Sequence, residues 1–283
     1  MTRGGAGSVM RSSATRPLVG AQTVFLFDAS DSRRWRGDIA LLALAVLLAW
    51  AYLGWMAWGM QHMDVAMVLM PAMVDWRALD LLLVWAMWAL MMAGMMLPAA
   101  APMLLAFGAM ARRVDPPRPA AHTLAFGLGY LAVWAAFSVA ATLLQWGLLE
   151  WRLVSPMMES SSPWLAGGLL ILAGAYQFTR WKAACLELCR SPLAFLVREW
   201  RAGGRGALVM GLRHGVFCLG CCWALMALLF VLGVMSLLWI VTLTLLVLAE
   251  KALPQVRWLV RTSGVGFAVW GLCLLGQAAW RLA

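Results

Sequence analysis

The sequence predicts an all-α fold, a polytopic bundle of about seven transmembrane helices with a short amphipathic helix on the cytoplasmic side. Hydrophobic residues make up 64% of the 283 residues and charged residues only 12%, whereas a soluble domain is about half apolar and a quarter charged. Apolar runs of about 20 residues alternate with short basic segments. We therefore expect a lipid bilayer around the helices. The formal net charge of +10 is explained by basic loops, and no nucleic-acid binding is expected.

The chain divides into a tail and a membrane domain. Residues 1–38 are rich in Arg, Ser and Gly and carry no apolar period, which predicts a disordered basic cytoplasmic tail. Residues 39–283 are predicted to form a membrane domain that contains the metal-binding motifs. Its seven candidate spans are residues 39–60, 79–104, 123–148, 163–178, 207–233, 234–249 and 259–280. The fourth is short, and a six-span alternative treats it as re-entrant.

The Lys and Arg residues predict the orientation of the bundle. With seven spans, eighteen of these cations lie on one side of the membrane and three on the other. Because cytoplasmic loops retain an excess of Lys and Arg, this distribution places the amino terminus in the cytoplasm of a bacterial cell, with the chain in the inner membrane. A six-span arrangement would destroy the asymmetry.

A cluster of soft metal donors lies in the first part of the fifth predicted span. At about 100° of rotation per residue, one helix face would carry one imidazole, three thiols and one thioether. Such a set suits Cu(I) best and Zn(II) second, because soft ligands prefer soft cations. Packing is the structural alternative, since buried Cys and Met also fill space between helices. The candidates are His214, Cys218, Cys221, Cys222 and Met226.

A second pair of thiols lies in the loop before that span. Residues 180–190 read as an amphipathic helix at the inner membrane interface, with cations for the headgroups and Trp181 as an anchor. Cys185 and Cys189 are four residues apart and therefore share one helix face. We expect these two thiols to meet those of span five on the cytoplasmic side. Binding would require deprotonated thiols, so metal affinity should fall in acid.

Methionines suggest further ligands, since the chain contains 20 of them. A packing seam would ordinarily use Leu, Ile and Val instead, although a flexible sulfur-lined packing surface remains the alternative. One ladder runs from the outer end of span one into the outer loop, and a second lies in span two around Pro98. The candidate ligands are Met60, His62 and Met63 on the outer side, and Met91, Met92, Met95 and Met96 in span two.

The other polar and sulfur residues have plainer interpretations. Glu250-Lys251 reads as a charged membrane boundary, although Glu250 could supply an oxygen ligand or pair with Arg213. Gln145 and Gln177 are expected to hydrogen-bond between helices. The isolated Cys273 is expected to serve packing only.

Three function classes fit the residues. The first is a non-enzymatic Cu(I) handler. The second is a membrane thiol-disulfide oxidoreductase that uses the Cys218/Cys221 pair, although thiol exchange leaves the methionines unexplained. The third is a metal permease or an assembly scaffold. No phosphate-binding loop or aspartyl-phosphate motif is visible, which argues against an ATP-driven pump.

Five motifs stand out together along the membrane part of the chain: residues 91–98, 174–182, 185–192 and 218–226, and Glu250-Lys251. Together they resemble the DUF2182 family of bacterial, predicted metal-binding integral membrane proteins, and the resemblance covers about residues 39–281. Some members are described as copper chaperones that serve tyrosinase-type copper enzymes. The resemblance implies an inner-membrane protein that binds copper and delivers it to a copper-dependent oxidase.

Overall fold

The structure is a computed structural model that describes residues 29–61, 77–115, 118–151, 162–234, 236–253 and 256–281. These residues form helices and their connections, without any strand, as the all-α prediction requires. The helices are α1 Ala29–Gln61, α2 Ala78–Val114, α3 Pro119–Glu150, α4 Pro163–Gln177, α5 Arg180–Arg190, α6 Pro192–Glu199, α7 Gly203–Ala227, α8 Leu229–Leu232, α9 Leu237–Ala252 and α10 Val256–Trp280.

Five stretches of the described residues are long and apolar enough to cross a membrane. They are Arg36–Gly59, Ala78–Val114, Pro119–Glu150, Gly203–Leu232 and Val256–Trp280. Helices α4 and α9 occupy the positions of the predicted fourth and sixth spans but have only 15 and 16 residues. Both are shorter than the roughly 20 residues that a straight crossing takes, so the count of seven spans stays a prediction.

The first helix differs from the prediction at its beginning. Helix α1 begins at Ala29, ten residues before the expected start of span one at Ile39, so residues 29–38 are helical and not part of an irregular tail. Asp38 pairs with Arg112 of α2 at 2.5 Å. This ion pair between neighbouring helices gives the segment a structural role that the Arg-rich composition did not indicate.

Helices α3 and α7 pack with their backbones almost in contact. A Cβ atom added to Gly211 of α7 would lie 2.0 Å from the carbonyl oxygen of Phe126, and one added to Gly129 of α3 would lie 2.3 Å from that of Leu208. Only glycine fits at such a crossing, as is common between membrane helices. The crossing holds the cysteine-rich part of α7 against α3.

The prolines of α2 leave carbonyl groups that a neighbouring helix satisfies. Pro98 has no N–H to donate to the carbonyl of Gly94, four residues earlier. The indole Nε1 of Trp50 in α1 donates to that carbonyl instead, at 3.2 Å. A neighbouring helix therefore satisfies the backbone carbonyl that Pro98 leaves free.

The in-span amides hydrogen-bond between helices, as predicted. Trp88 Nε1 of α2 donates to Gln145 Oε1 of α3 at 2.6 Å. Gln177, at the end of α4, donates from Nε2 to Ser263 Oγ of α10 at 3.0 Å.

Candidate metal centre

The cysteine-rich face of α7 points into the protein. The helix has no proline and runs unbroken from Gly203 to Ala227, so its 3.6-residue period places the predicted donors on one face. All five are buried, with exposed fractions of 0–2%. The single buried face predicted from the spacing is therefore observed for His214, Cys218, Cys221, Cys222 and Met226.

Cys218 lies at the centre of the polar contacts on this face. The Tyr130 hydroxyl of α3 lies 3.1 Å from its Sγ atom, and Lys251 Nζ of α9 donates to the same sulfur at 3.0 Å. The thiols of Cys221 and Cys222 both donate to the Cys218 carbonyl at 3.0 Å. Three helices therefore meet at this one cysteine.

Helix α5 brings two more thiols to the cluster on α7. The buried Cys189 thiol lies close to Cys218 and Cys221, and the sulfur of Cys185 lies against Gly220. A Cβ atom at Gly220 would lie 2.8 Å from Cys185 Sγ, so the glycine lets α5 rest on α7. Sulfur atoms from two separate motifs therefore converge in space.

These contacts determine the protonation of the α5 thiols. The hydrogen bonds to Cys218 and Cys221, together with burial, raise the pKa of Cys189 well above its ordinary value. Burial raises the pKa of Cys185 as well. Both thiols are therefore protonated near neutral pH, and any metal that binds them must displace a proton.

The methionines of α2 contribute one sulfur contact to this cluster. Met96 Sδ lies 3.9 Å from Cys222 Sγ, and the Met96 carbonyl accepts a hydrogen bond from Tyr130 at 3.1 Å. The remaining candidates of this ladder are buried, with exposed fractions of 0–1%, and make no hydrogen bond to a cysteine within the part of the chain that the structure describes. They are Met91, Met92 and Met95.

A buried ion pair fixes α5 against α7 and α9. Lys182 Nζ donates to Glu250 Oε2 at 2.7 Å and to the Cys221 carbonyl at 3.0 Å. Both charged side chains are 1% exposed. Gln177 Nε2 completes the group by donating to Glu250 Oε1 at 2.9 Å.

This ion pair corrects two expectations. Lys182 does not face the headgroups, although Trp181 beside it is 73% exposed, as an interfacial anchor would be. Glu250 pairs with Lys182, whereas Arg213 pairs with Glu199. The period of α5 carried the signal, because Lys182 precedes Cys185 by three residues and Cys189 by seven, and so shares their face.

His214 is enclosed by aromatic rings. It stacks on Phe126 and Tyr130 and meets the edge of Phe195, with ring centroids 5.5–6.1 Å apart. Its Nδ1 atom is buried and has no hydrogen-bond partner within the described ranges. Leaving such an atom unpaired costs about 1–3 kcal/mol, which makes it a candidate ligand one helical turn from Cys218.

Two groups of predicted residues lie apart from the cluster. Cys273 of α10 is exposed on the surface of the bundle and free. The outer candidates, the side chain of Met60 together with His62 and Met63, lie outside the residues whose placement is described. The prediction of an outer sulfur site therefore stays untested.

Across the described ranges, no group of three or more His, Cys, Asp and Glu side chains is arranged to hold a metal ion. The thiols of Cys221 and Cys222 donate to the Cys218 carbonyl. A metal that binds these two thiols would have to replace both hydrogen bonds and displace the thiol protons.

The fold and the site together define a helical membrane protein whose interior gathers thiols, a thioether and an imidazole. The family model described as "PpoB2: Copper chaperone" matches residues 85–274. Because the match covers about two thirds of the chain and every element of the thiol cluster, the chain belongs to this copper chaperone family. No curated protein and no solved structure matches the chain.

Proposed function

We propose that this protein binds Cu(I) at the thiols of Cys189, Cys218, Cys221 and Cys222 and delivers it to a copper-dependent oxidase of the tyrosinase type. The observation that carries the proposal is the convergence of Cys189 from α5 on Cys218 and Cys221 from α7. Buried cysteines that only fill space have no reason to gather from separate helices around one hydrogen-bonded point.

The surroundings of the thiols favour Cu(I), with Zn(II) as the second choice. Thiolate and thioether donors are soft, and Met96 places a thioether next to Cys222. A Cu(I) ion held by two thiolates has a net negative charge, and the Lys251 ammonium 3.0 Å from Cys218 would neutralise it. His214 could complete the coordination through its unpaired nitrogen.

Transport of the ion beyond the thiols is assigned to the methionines. Met226 on α7 and the ladder of Met91, Met92 and Met95 on α2 are buried and would offer thioethers that hold Cu(I) weakly. The outer set of Met60, His62 and Met63 would release it on the far side of the bacterial inner membrane, with the amino terminus in the cytoplasm. Weak, successive sites suit a protein that must give up its cargo.

Metal analysis of the purified protein tests the proposal. The wild-type protein and the Cys189→Ser, Cys218→Ser and Cys273→Ser variants would be loaded with Cu(I) under reducing conditions and desalted. We expect stoichiometric copper in the wild type and in Cys273→Ser, weaker but measurable copper binding in Cys189→Ser, and little copper in Cys218→Ser. Unchanged copper in Cys218→Ser would eliminate the thiol cluster as the binding site.

Thiol–disulfide exchange, the runner-up from the sequence, is disfavoured by burial. Exchange with a protein partner requires the sulfur of that bulky partner to reach the attacking thiolate, whereas Cys218 and Cys221 are only 0–1% exposed. We therefore expect a non-enzymatic protein. A Cys221→Ser variant that traps a mixed disulfide in cells, while the wild type binds no copper, would reverse this assignment.

A further inference from the structure

A large basic cleft lies beside the thiol cluster. It has a volume of about 1380 Å³ and is bounded by the end of α4, by α5, by the end of α9 and by the beginning of α10. Its walls carry five cationic side chains and one carboxylate, that of Glu187. The cations are Lys182, Arg190, Lys251, Arg257 and Arg261.

The cleft is accessible on one side and reaches the thiols on the other. Arg257 and Arg261 are exposed at its mouth, and in the described part of the chain neither forms an ion pair. At its inner wall, Lys251 extends to Cys218 Sγ at 3.0 Å. One side chain therefore separates the cleft from the central thiol.

The size and charge of the cleft indicate its ligand. A volume of this order exceeds what a bare metal ion needs and accommodates a small organic molecule. A concentration of cations in a concave site attracts anions and raises their rate of association. The buried Oε1 of Gln177, which lines the cleft, has no hydrogen-bond partner among the described residues and could accept an N–H or O–H from such a molecule.

We propose that this cleft binds an anionic, low-molecular-weight thiol that brings Cu(I) as its thiolate complex, and that copper passes from the cleft to Cys218. This inference rests on the function proposed above. Glu250 neutralises Lys182 and Glu187 offsets one more cation, so the cleft keeps a net positive charge from the others. Free Cu(I) is cationic and would be repelled by this net charge, whereas a Cu(I) bis-thiolate complex of a mercaptocarboxylate is strongly anionic.

Copper would pass by ligand exchange without oxidation or reduction. Two carrier-sulfur–copper bonds break, and bonds from copper to Cys218 and Cys189 form. The protons leave these two protein thiols and join the two released carrier thiolates, so that charge is conserved. The contact between Cys189 and Cys218 allows the second bond to form as soon as the first carrier thiolate has left.

The experiment measures copper uptake by the full protein in nanodiscs of zwitterionic lipid. Cu(I) would be supplied as its complex with mercaptosuccinate, which is anionic, or with cysteamine, which is cationic, and also as its acetonitrile complex. Samples desalted at successive times would give the uptake rate. We compare the wild type with Arg257→Glu/Arg261→Glu and with a control, Arg198→Glu/Arg205→Glu, which changes the charge equally at exposed positions outside the cleft.

Both double variants should fold. In each pair, one new Glu lies in the first turn of a long helix, where a carboxylate is favourable. We expect uptake from the mercaptosuccinate complex to slow about tenfold or more in the cleft variant and to stay within about twofold of wild type in the control. Uptake from the cysteamine complex should not slow in the cleft variant.

Three results would overturn the inference. Equal slowing in the two variants, or no preference of the wild type for the mercaptosuccinate complex, would show that the cleft does not select the carrier. Loss of that preference when phosphatidylglycerol is added to the nanodiscs would show that the cleft is a lipid-headgroup site. Loading from the acetonitrile complex reports on the thiols alone, so its failure would instead refute the proposed function.

Discussion

The Lys182–Glu250 ion pair should behave as a single coupled unit. At 2.7 Å, and with an effective dielectric constant of about 20, the two charges attract each other by about 6 kcal/mol before the cost of burying them is subtracted. Because both are 1% exposed, removal of one partner leaves an uncompensated buried charge, which costs about 3–5 kcal/mol.

Three variants measure this coupling. We expect Lys182→Met and Glu250→Gln each to lower the free energy of unfolding by about 3–5 kcal/mol. The double variant Lys182→Met/Glu250→Gln buries no charge and keeps the amide that Gln177 can reach, so it should lie within about 1–2 kcal/mol of wild type. The two single variants should also bind copper more weakly than the double variant and the wild type, because Lys182 and Glu250 together hold α5, and with it Cys189, against α7.

Equilibrium unfolding in mixed detergent micelles, with copper content measured in parallel, would check this prediction. The matched control is Arg213→Met, which breaks the more exposed pair with Glu199 and should cost at most about 1 kcal/mol. Additive losses in the double variant, or a loss below about 1 kcal/mol for Lys182→Met, would refute the idea that this pair fastens α5 to the bundle.

Three further predictions concern the contacts around Cys218. Gly220→Ala should displace the Cys185 sulfur, which would lie 2.8 Å from the new Cβ, and weaken copper binding. Because both glycines are helical and gain helix propensity as alanine, Gly220→Ala should be less stable than Gly168→Ala, where a Cβ meets nothing within 4 Å, by about 1 kcal/mol or more. Equal melting temperatures for the two variants would contradict this. Tyr130→Phe removes the hydroxyl shared by Met96 and Cys218 and should cost about 1 kcal/mol of stability, to be measured by detergent unfolding. The raised pKa of Cys189 keeps its thiol protonated, so copper binding must release that proton. Copper affinity should therefore fall about tenfold per pH unit toward acid for each proton released. Cys189→Ser should reduce the slope of log affinity against pH by about one proton, and an unchanged slope would show that Cys189 is not a ligand.

The sequence was sufficient to predict the all-α fold and the helix faces that carry the thiols. The face of α7 followed from the 100° period, and the shared face of Cys185 and Cys189 followed from their spacing of four residues. Both helices lie within the region that the family model matches.

Contacts between helices were harder to predict, because a single sequence gives the faces of a helix but not its partners. The contact of the Tyr130 hydroxyl with Cys218 could not be predicted, because a single tyrosine in an apolar helix can pack against many neighbours. Lys182 was assigned to the lipid interface because cations beside an exposed Trp usually lie there. Its buried position depends on Glu250, which is 68 residues away.

The charges around the cluster limit the charge of any metal centre that forms there. Lys182 and Glu250 cancel each other, which leaves Lys251 as the cation in contact with the central thiol. A centre with one negative charge would therefore be neutralised by this lysine. Cu(I) with two thiolates carries that charge, and so does Zn(II) with three thiolates and His214, whereas Zn(II) with four thiolates would leave an excess negative charge in a buried site, which is costly. Lys251 therefore excludes the four-thiolate zinc centre, and the preference for Cu(I) over the remaining zinc centre depends on the softness of the sulfur donors.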